Sequence, residues 1–351
     1  MGGSILTTAR LVLRPLAPAD AAPITRLIGD WEVARWLTQV PYPYGLSDAK
    51  DFLGRTAEKP GYWAITLGTE QAPPIGVISL RPGQGLGYWL GQAHWGQGYV
   101  PEAARAVLAA HFASADRPVL SGHHRGNARS RHVLLSLGFV DTDRITVEGA
   151  KGPEHLQRMQ LTRAGWQFAR DPRIETPRLI LRPLMPDDAA AIAALGNDAE
   201  MARMLANVPH PFSADQARDW MGDNRWRGRP GFRWGIAAKH GTLMGMVALG
   251  GAAMKMTGGD TVPSVAYWLG RAHWGQGYAT EAVAAFLADL MPRLGLDAVD
   301  ADVFEENAAS HTVMRKLSFR ATGIALGTSA ARLEPAPVVT YRLSSGGGAA
   351  R

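Results

Sequence analysis

The sequence predicts two tandem copies of one α/β domain, and three observations carry that expectation. Residues 88–103 (YWLGQAHWGQGYVPEA) recur as residues 267–282 (YWLGRAHWGQGYATEA), with 13 of 16 positions identical. In each copy a strand-like run precedes the G-Q-G and a helix-like run follows it. Glycines between a strand and a helix N-terminus are how a backbone makes room for a phosphate. At 351 residues the chain exceeds what one hydrophobic core usually supports, and half of it is an ordinary domain.

Two further segment pairs keep the same order. RLVLRPLAPADAAPI from Arg10 is echoed by RLILRPLMPDDAAAI from Arg178, and Asn127-Ala-Arg-Ser130 by Asn307-Ala-Ala-Ser310. In the first copy Arg10–Leu16 alternates as a strand, and Pro18 and Asp20 open an amphipathic helix running to about Leu37. Ser47 reads as the N-cap of a second helix ending near Glu58. Strands at Tyr62–Leu67, Ile75–Leu80 and Gly85–Gly91 are separated by Gly and Pro turn signals. A helix at Pro101–Ala113, a strand at Val119–His123 and a helix at Ala128–Leu137 come next. Strands at Phe139–Thr146 and His155–Thr162 close the unit.

The second copy repeats the plan, with strands at Phe232–Ala238, Leu243–Gly250 and Val262–Gly270. A longer turn, GGAAMKMTGGD, moves the offset between copies from 168 residues at Arg10/Arg178 to 179 at His94/His273. The expected organisation is a domain at 8–163, a linker at 164–177, a domain at 178–344 and a flexible tail at 345–351.

Apolar content of 46% and charged content of 19% describe an ordinary soluble globular protein. No apolar run approaches the roughly 20 residues that span a bilayer, so no membrane partner is expected. The opening MGGSIL lacks the charged-then-apolar pattern of a secretory leader, and a cytoplasmic location is expected. Cysteine is absent, which excludes disulfides, thiolate metal ligands and cysteine nucleophiles; no metal site is expected. The net charge of +6 is spread without a solid basic block, and suits solubility or a polyanionic small ligand.

The T-x-R-L-x-L-R-P-L opening, the H-W-G-Q-G-Y-x-x-E-A loop, and N-x-x-S followed by L-G-F (Leu137–Phe139) or L-S-F (Leu317–Phe319) carry a resemblance. By them the chain resembles the N-acetyltransferases of the GNAT family, within them the ribosomal-protein N-terminal acetyltransferase group. The resemblance covers both copies nearly end to end. It implies in each a mixed, mostly antiparallel twisted sheet with helices on both faces, binding acetyl-CoA along the fourth strand and the glycine loop. The implied cofactor contacts are Trp89, Leu90, Trp95, Gly96, Gln97, Gly98 and Tyr99. In the second copy they are Trp268, Leu269, Trp274, Gly275, Gln276, Gly277, Tyr278 and Thr280. Asn127 and Asn307 are the implied pantetheine contacts.

Three departures stand out. Ala93 and Ala272 occupy positions where the family's loop begins with Gln or Arg. Pro101 replaces the hydroxyl of Thr280. Leu134 and Met314 stand where many relatives place a proton-donating tyrosine. Ser130 and Ser310 are then the nearest hydroxyls, either as partners of the leaving thiolate or as helix caps. Asp302 has no acidic counterpart, since Gly122 aligns with it. Trp63 and Trp234 read as core residues. The basic and aromatic stretch Arg225–Arg233 reads as a solvated loop, so no nucleic-acid partner is expected.

The resemblance implies acetyl transfer to a primary amine — a protein N-terminus, an amino acid or a small amine — by direct attack on the thioester. Two other readings remain: an acetyl-CoA-binding sensor or scaffold without turnover, and a ribosome- or RNA-associated binder. The duplication is expected to build within one monomeric chain the pseudo-dimer that single-domain relatives form.

Overall fold

Strands β1 (Leu6–Thr7) and β2 (Leu11–Arg14) open the first of two units, residues 1–169, and β2 buries Leu11 and Leu13 completely. The computed structural model describes residues 4–56, 59–81, 83, 85–250 and 262–345. The Arg14 guanidinium grips buried Asp20 at 2.7 and 2.8 Å, and so pins the turn that leads into α1 (Ala21–Ile28). The helix expected to continue to Leu37 stops at Gly29. The Asp30 side chain accepts from the Glu32 N–H and starts a separate helix, α2 (Trp31–Ala34).

Helix α3 (Leu46–Thr56) precedes three antiparallel strands, β3 (Tyr62–Leu67), β4 (Pro74–Arg81) and β5 (Gly85–Leu90). Then come α4 (Tyr99–Ser114), β6 (Val119–His124), α5 (Ala128–Ser136) and the hairpin β7 (Val140–Gly149) and β8 (Gly152–Leu161). The strands form a five-stranded sheet, β1-β2-β3-β4-β5, and a three-stranded one, β6-β8-β7. One apolar face packs Trp63, Ile65 and Ile78 against Val107, Leu108 and Leu134 of α4 and α5. The other packs Ala64 and Val77 against Ile24, Ile28 and Leu53 of α1 and α3. Alternate residues of one strand thus serve opposite helical layers.

The expected linker at 164–177 is largely structured. Helix α6 (Arg163–Arg170) buries Trp166 in a stack on Phe112, with centroids 6.1 Å apart. Gly138 sits against α6 so closely that a Cβ would come within 2.2 Å of the Gly165 carbonyl. Trp166 and Phe168 bury too much apolar surface for a solvated connector. Further on, β9 (Ile174–Glu175) pairs with β10 (Leu179–Pro183).

The second unit, residues 170–351, continues through α7 (Ala189–Gly196), α8 (Ala199–Ala202), α9 (Ala214–Met221), β11 (Phe232–Ala238), β12 (Leu243–Gly250) and β13 (Ser264–Leu269). It ends with α10 (Tyr278–Leu294), β14 (Ala298–Phe304), α11 (Ala308–Lys316), β15 (Arg320–Gly327) and β16 (Ala336–Ser344). Its strands form one sheet, β15-β16-β14-β13-β12-β11-β10-β9. Every described pairing in it is antiparallel except β13 with β14. Met246 and Ala248 of β12 join the cluster of α7 and α9, while Trp234 of β11 meets Phe286 of α10 at 5.7 Å on the other face.

Each unit is therefore a mixed α/β domain of mostly antiparallel strands between helical layers, in two sheets in the first unit and one in the second. The GGAAMKMTGGD turn lies outside the described residues except for Gly250, and the tail except for Ser345. Among the described residues no helix is long and apolar enough to cross a membrane.

Candidate active site

In each unit two neighbouring strands meet at one end and part at the other. Strands β13 and β14 share one ladder pair, Ser264 with Asp300, and the Asp300 N–H donates to the Pro263 carbonyl at 2.8 Å. In the first unit β5 and β6 belong to separate sheets but touch at the equivalent place, where the Ser121 hydroxyl donates to the Leu86 carbonyl at 2.8 Å. A Cβ on Gly85 would lie 2.0 Å from the Leu120 carbonyl, so glycine is needed for that approach. Beyond the pair, β13 and β14 flank a cleft. Its walls include Tyr267, Trp268, Asp302, Asn307, Ser310 and the segment Met204–Val208.

Backbone groups of the parting strand are left facing the gap. The Gly270 N–H donates to the Met244 carbonyl at 2.9 Å, and the Gly91 N–H to Ile75 at 3.0 Å. Bonding alternates along an antiparallel strand, so Trp268 and Trp89 spend their backbone groups on the neighbouring strand. The N–H groups of Leu269 and Leu90 therefore point into the opening. Side chains divide the same way: the Trp268 ring packs in the α7 and α9 cluster, and the Tyr267 hydroxyl reaches α11 on the opposite face.

The glycine loops follow directly. Gly96 and Gly98 have φ of 74° and 78°, and Gly275 and Gly277 have 71° and 81°, the left-handed region where a side chain is strained. Gly98 and Gly277 are the N-caps of α4 and α10, and no side chain caps either helix. The first-turn N–H groups are thus free for an anion. A Cβ at Gly96 or Gly275 would meet nothing within 4 Å, so both glycines border open space. The loop braces itself: Trp95 and Trp274 donate their ring N–H to the Leu90 and Leu269 carbonyls at 2.9 and 2.6 Å. Gln97 and Gln276 donate to the carbonyls of Ala93 and Ala272 at 3.0 Å, so the positions departing from the family contribute through backbone.

Residues missed as site members hold this loop from outside. Arg10 donates to the Gln97 carbonyl at 2.9 Å and pairs with Glu102 of α4 at 2.6 Å; Thr8 donates to Glu102 at 2.5 Å. In the second unit Arg178 donates to Gln276 at 3.0 Å and pairs with Glu281 at 2.6 Å, and Thr176 donates to Glu281 at 2.6 Å. Burial pushes both carboxyls up, but the hydrogen bonds from threonine and arginine outweigh it and hold them below their ordinary value. The arginines also lie over Tyr99 and Tyr278 at 4.6 and 4.3 Å. The signal was available: Thr, Arg and Glu all fall within the repeated segments.

Asn127 and Asn307, rather than the serines, cap α5 and α11. Their side-chain oxygens accept from the N–H of Ser130 at 3.1 Å and Ser310 at 3.0 Å. The serine hydroxyls are not caps; they bond the hydroxyls of Tyr88 at 2.9 Å and Tyr267 at 2.8 Å. Burial raises both phenols, Tyr267 to about 12, and the serine bond only partly opposes it. Leu134 and Met314 are fully buried, so the usual tyrosine position is core in both units. Thr280 and Pro101 each lie in the first turn of their helix. Trp63 and Trp234 are core, as expected. In the Arg225–Arg233 stretch, Arg225 and Arg227 both pair with Asp223.

Open glycine amides at an uncapped helix start, beside strands that part, fit a pyrophosphate with a slender arm attached. The description of the acetyltransferase (GNAT) domain matches residues 10–140 and again 178–320. The uncharacterised N-acetyltransferase YoaA of Bacillus subtilis is 29% identical over 156 residues, 44% of this chain and 85% of that protein. The uncharacterised N-acetyltransferase p20 of Bacillus licheniformis is 29% identical over 153 residues, 42% of this chain and 83% of that protein. Among solved structures, Mycobacterium smegmatis RimJ in complex with CoA-disulfide is 18% identical with a TM-score of 0.42, covering 50% of this chain and 87% of that one. With the GNAT domain matched twice over most of its length, the chain belongs to the GNAT acetyltransferase family and is a tandem acetyltransferase that uses acetyl-CoA.

Proposed function

We propose that the chain transfers an acetyl group to a primary amine, of a small molecule or a protein N-terminus, by direct attack. The observation that carries this is the second unit's cleft, which joins Asn307 and Ser310 at the parted strands to the separate wall Met204–Val208. A cofactor arm and an acceptor could enter it from different sides. Bound acetyl-CoA would supply the activated acyl carbon.

The chain's own residues divide the remaining work. Amides of the Gly96–Tyr99 and Gly275–Tyr278 loops hold the phosphates, with Arg10 and Arg178 fixing the loop. Leu90 and Leu269 N–H groups stand where a developing carbonyl charge needs a donor. Tyr88 and Tyr267, kept protonated by burial, donate to Ser130 and Ser310 and free the serine O–H for a departing sulfur. The acceptor amine must arrive neutral or lose a proton in the cleft, where Asp302 is the acidic lining residue of the second unit.

A sensor that binds without turnover is the rival reading. The Tyr–Ser pair, built in both units from residues more than 40 apart, favours turnover because binding alone does not need it. A panel of primary amines with acetyl-CoA, scored by thiol release and product mass, tests the reading. Cofactor binding with no thiol release from any amine would leave the sensor.

A further inference from the structure

We propose that Arg271 is a positioning residue that braces the cleft wall to the cofactor loop in the second unit, so that coenzyme A binding stiffens the wall. The residue opens the turn Arg271–His273, between β13 and the glycine loop. Its Nε donates to one oxygen of Asp198 at 2.7 Å, and its Nη2 to the other at 3.1 Å. The same Nη2 donates to Glu200 at 2.6 Å. The guanidinium also lies over the Trp274 ring at 5.1 Å, and Trp274 holds the Leu269 carbonyl. One side chain thus touches the loop on one side and the start of α8 on the other. The Arg271 side chain is 55% exposed, and a lone exposed ion pair contributes little. A forked arginine shared by two carboxylates and an indole face keeps a defined geometry instead. Its hydrogen bonds hold the Asp198 carboxyl down at about 2, so the grip is intact at neutral pH.

A hold on the start of α8 reaches the cleft through consecutive backbone bonds. Asp198 caps the helix by accepting from the Met201 N–H at 3.0 Å. The N–H groups of Ala202, Arg203, Met204 and Leu205 donate to the carbonyls of Asp198, Ala199, Met201 and Ala202, between 2.8 and 3.2 Å. Met204–Val208 is the cleft wall. The wall has a second hold, from the Ala330 N–H to the Ala206 carbonyl at 2.9 Å and from Arg332 to the Arg203 carbonyl at 2.7 Å. The first unit has that second hold too, from the Ala150 N–H to the Thr38 carbonyl at 2.7 Å. It also has both acids in the corresponding places, as Asp30 and Glu32. However, Gln92 stands where the second unit has Arg271, and Glu32 bonds its near neighbour Arg35 at 3.1 Å. The brace is therefore particular to the second unit.

The wall's service to an acceptor rests on the acetyl-transfer reading, but the brace itself needs only coenzyme A to bind. Hydrogen exchange of the full-length protein, followed by mass spectrometry with and without saturating coenzyme A, tests it. In the unsubstituted chain coenzyme A should slow exchange at residues 202–205 by about 5-fold, the low end of usual coupling between sites. The counterparts at 34–37 should change little. Arg271→Gln, which installs the first unit's residue, should abolish the slowing at 202–205 while the glycine loop 275–278 still slows. Glu200→Gln, which removes one arm and keeps the Asp198 cap, should weaken it.

Slowing at 202–205 that persists in Arg271→Gln would mean that coenzyme A reaches the wall without the arginine. Equal loss of protection with and without coenzyme A would make Arg271 a plain stabiliser of α8. Either result overturns the proposal, as does an unsubstituted chain in which 202–205 do not slow. The comparison between units needs no variant, and slowing at 34–37 equal to that at 202–205 also overturns it. If no amine releases thiol but the slowing follows Arg271, acetyl transfer fails and the brace stands.

Discussion

Ser310 lies in the first turn of α11, yet that turn does not depend on its hydroxyl. Asn307 makes the cap, and the Ser310 hydroxyl is turned to Tyr267, whose burial keeps it protonated. The cap and the proton donor are therefore separable by substitution. Ser310→Ala should lower turnover by about 10- to 1,000-fold with little change in cofactor affinity. Melting temperature should move little, because no cap is lost; a cap would cost about 1 kcal/mol. Tyr267→Phe should reproduce part of the loss in turnover, and the double variant Ser130→Ala/Ser310→Ala should show it fully. Near-normal turnover in the double variant would leave the proton donor to be sought elsewhere. The pairing itself was not readable in the sequence. Tyr88 and Ser130 each sat in a repeated segment, but only the parting of β5 from β6 brings them together.

The glycine loop works as an element because α4 and α10 are tied back to the first strand of their unit. Thr176 and Arg178 grip Glu281 with three hydrogen bonds, and Arg178 also holds the loop carbonyl of Gln276. Glu281→Gln should loosen the loop and raise the KM for acetyl-CoA, by about 10-fold for one charge-assisted pair, with kcat less affected. The pH dependence has a definite sign. A carboxyl held below its ordinary value contributes stability that is complete above the ordinary range near pH 4.3, and that is lost as pH falls through the lower folded value. Acid unfolding followed by far-ultraviolet circular dichroism should thus be steeper below about pH 4 in the unsubstituted chain than in Glu281→Gln. Periodicity and turn signals located the strands and the helix after each loop. They placed a linker over α6, because burial of Trp166 depends on Phe112, 54 positions earlier, and no local pattern reports that.

At the scale of the whole chain, two units repeat one loop, one clamp and one Tyr–Ser pair, so each should hold its own acetyl-CoA. Calorimetry should give a stoichiometry near two per chain. Valine at either cap glycine would be forced into a left-handed backbone at a cost of about 1–3 kcal/mol and would crowd Arg10 or Arg178, so Gly98→Val and Gly277→Val should each remove one site. A stoichiometry of one in the unsubstituted chain would refute two working sites. Binding and turnover need not divide evenly, however. The second unit has Thr280 where the first has Pro101, and Asp302 on its cleft wall where the first has Gly122. An amine needs a base, a carboxylate or a water, to take its proton, and the second unit has a carboxylate in its cleft wall. Gly277→Val should therefore abolish most of the turnover, while Gly98→Val lowers cofactor stoichiometry and leaves most of it. The reverse pattern, measured by thiol release with a single amine, would move the catalytic assignment to the first unit.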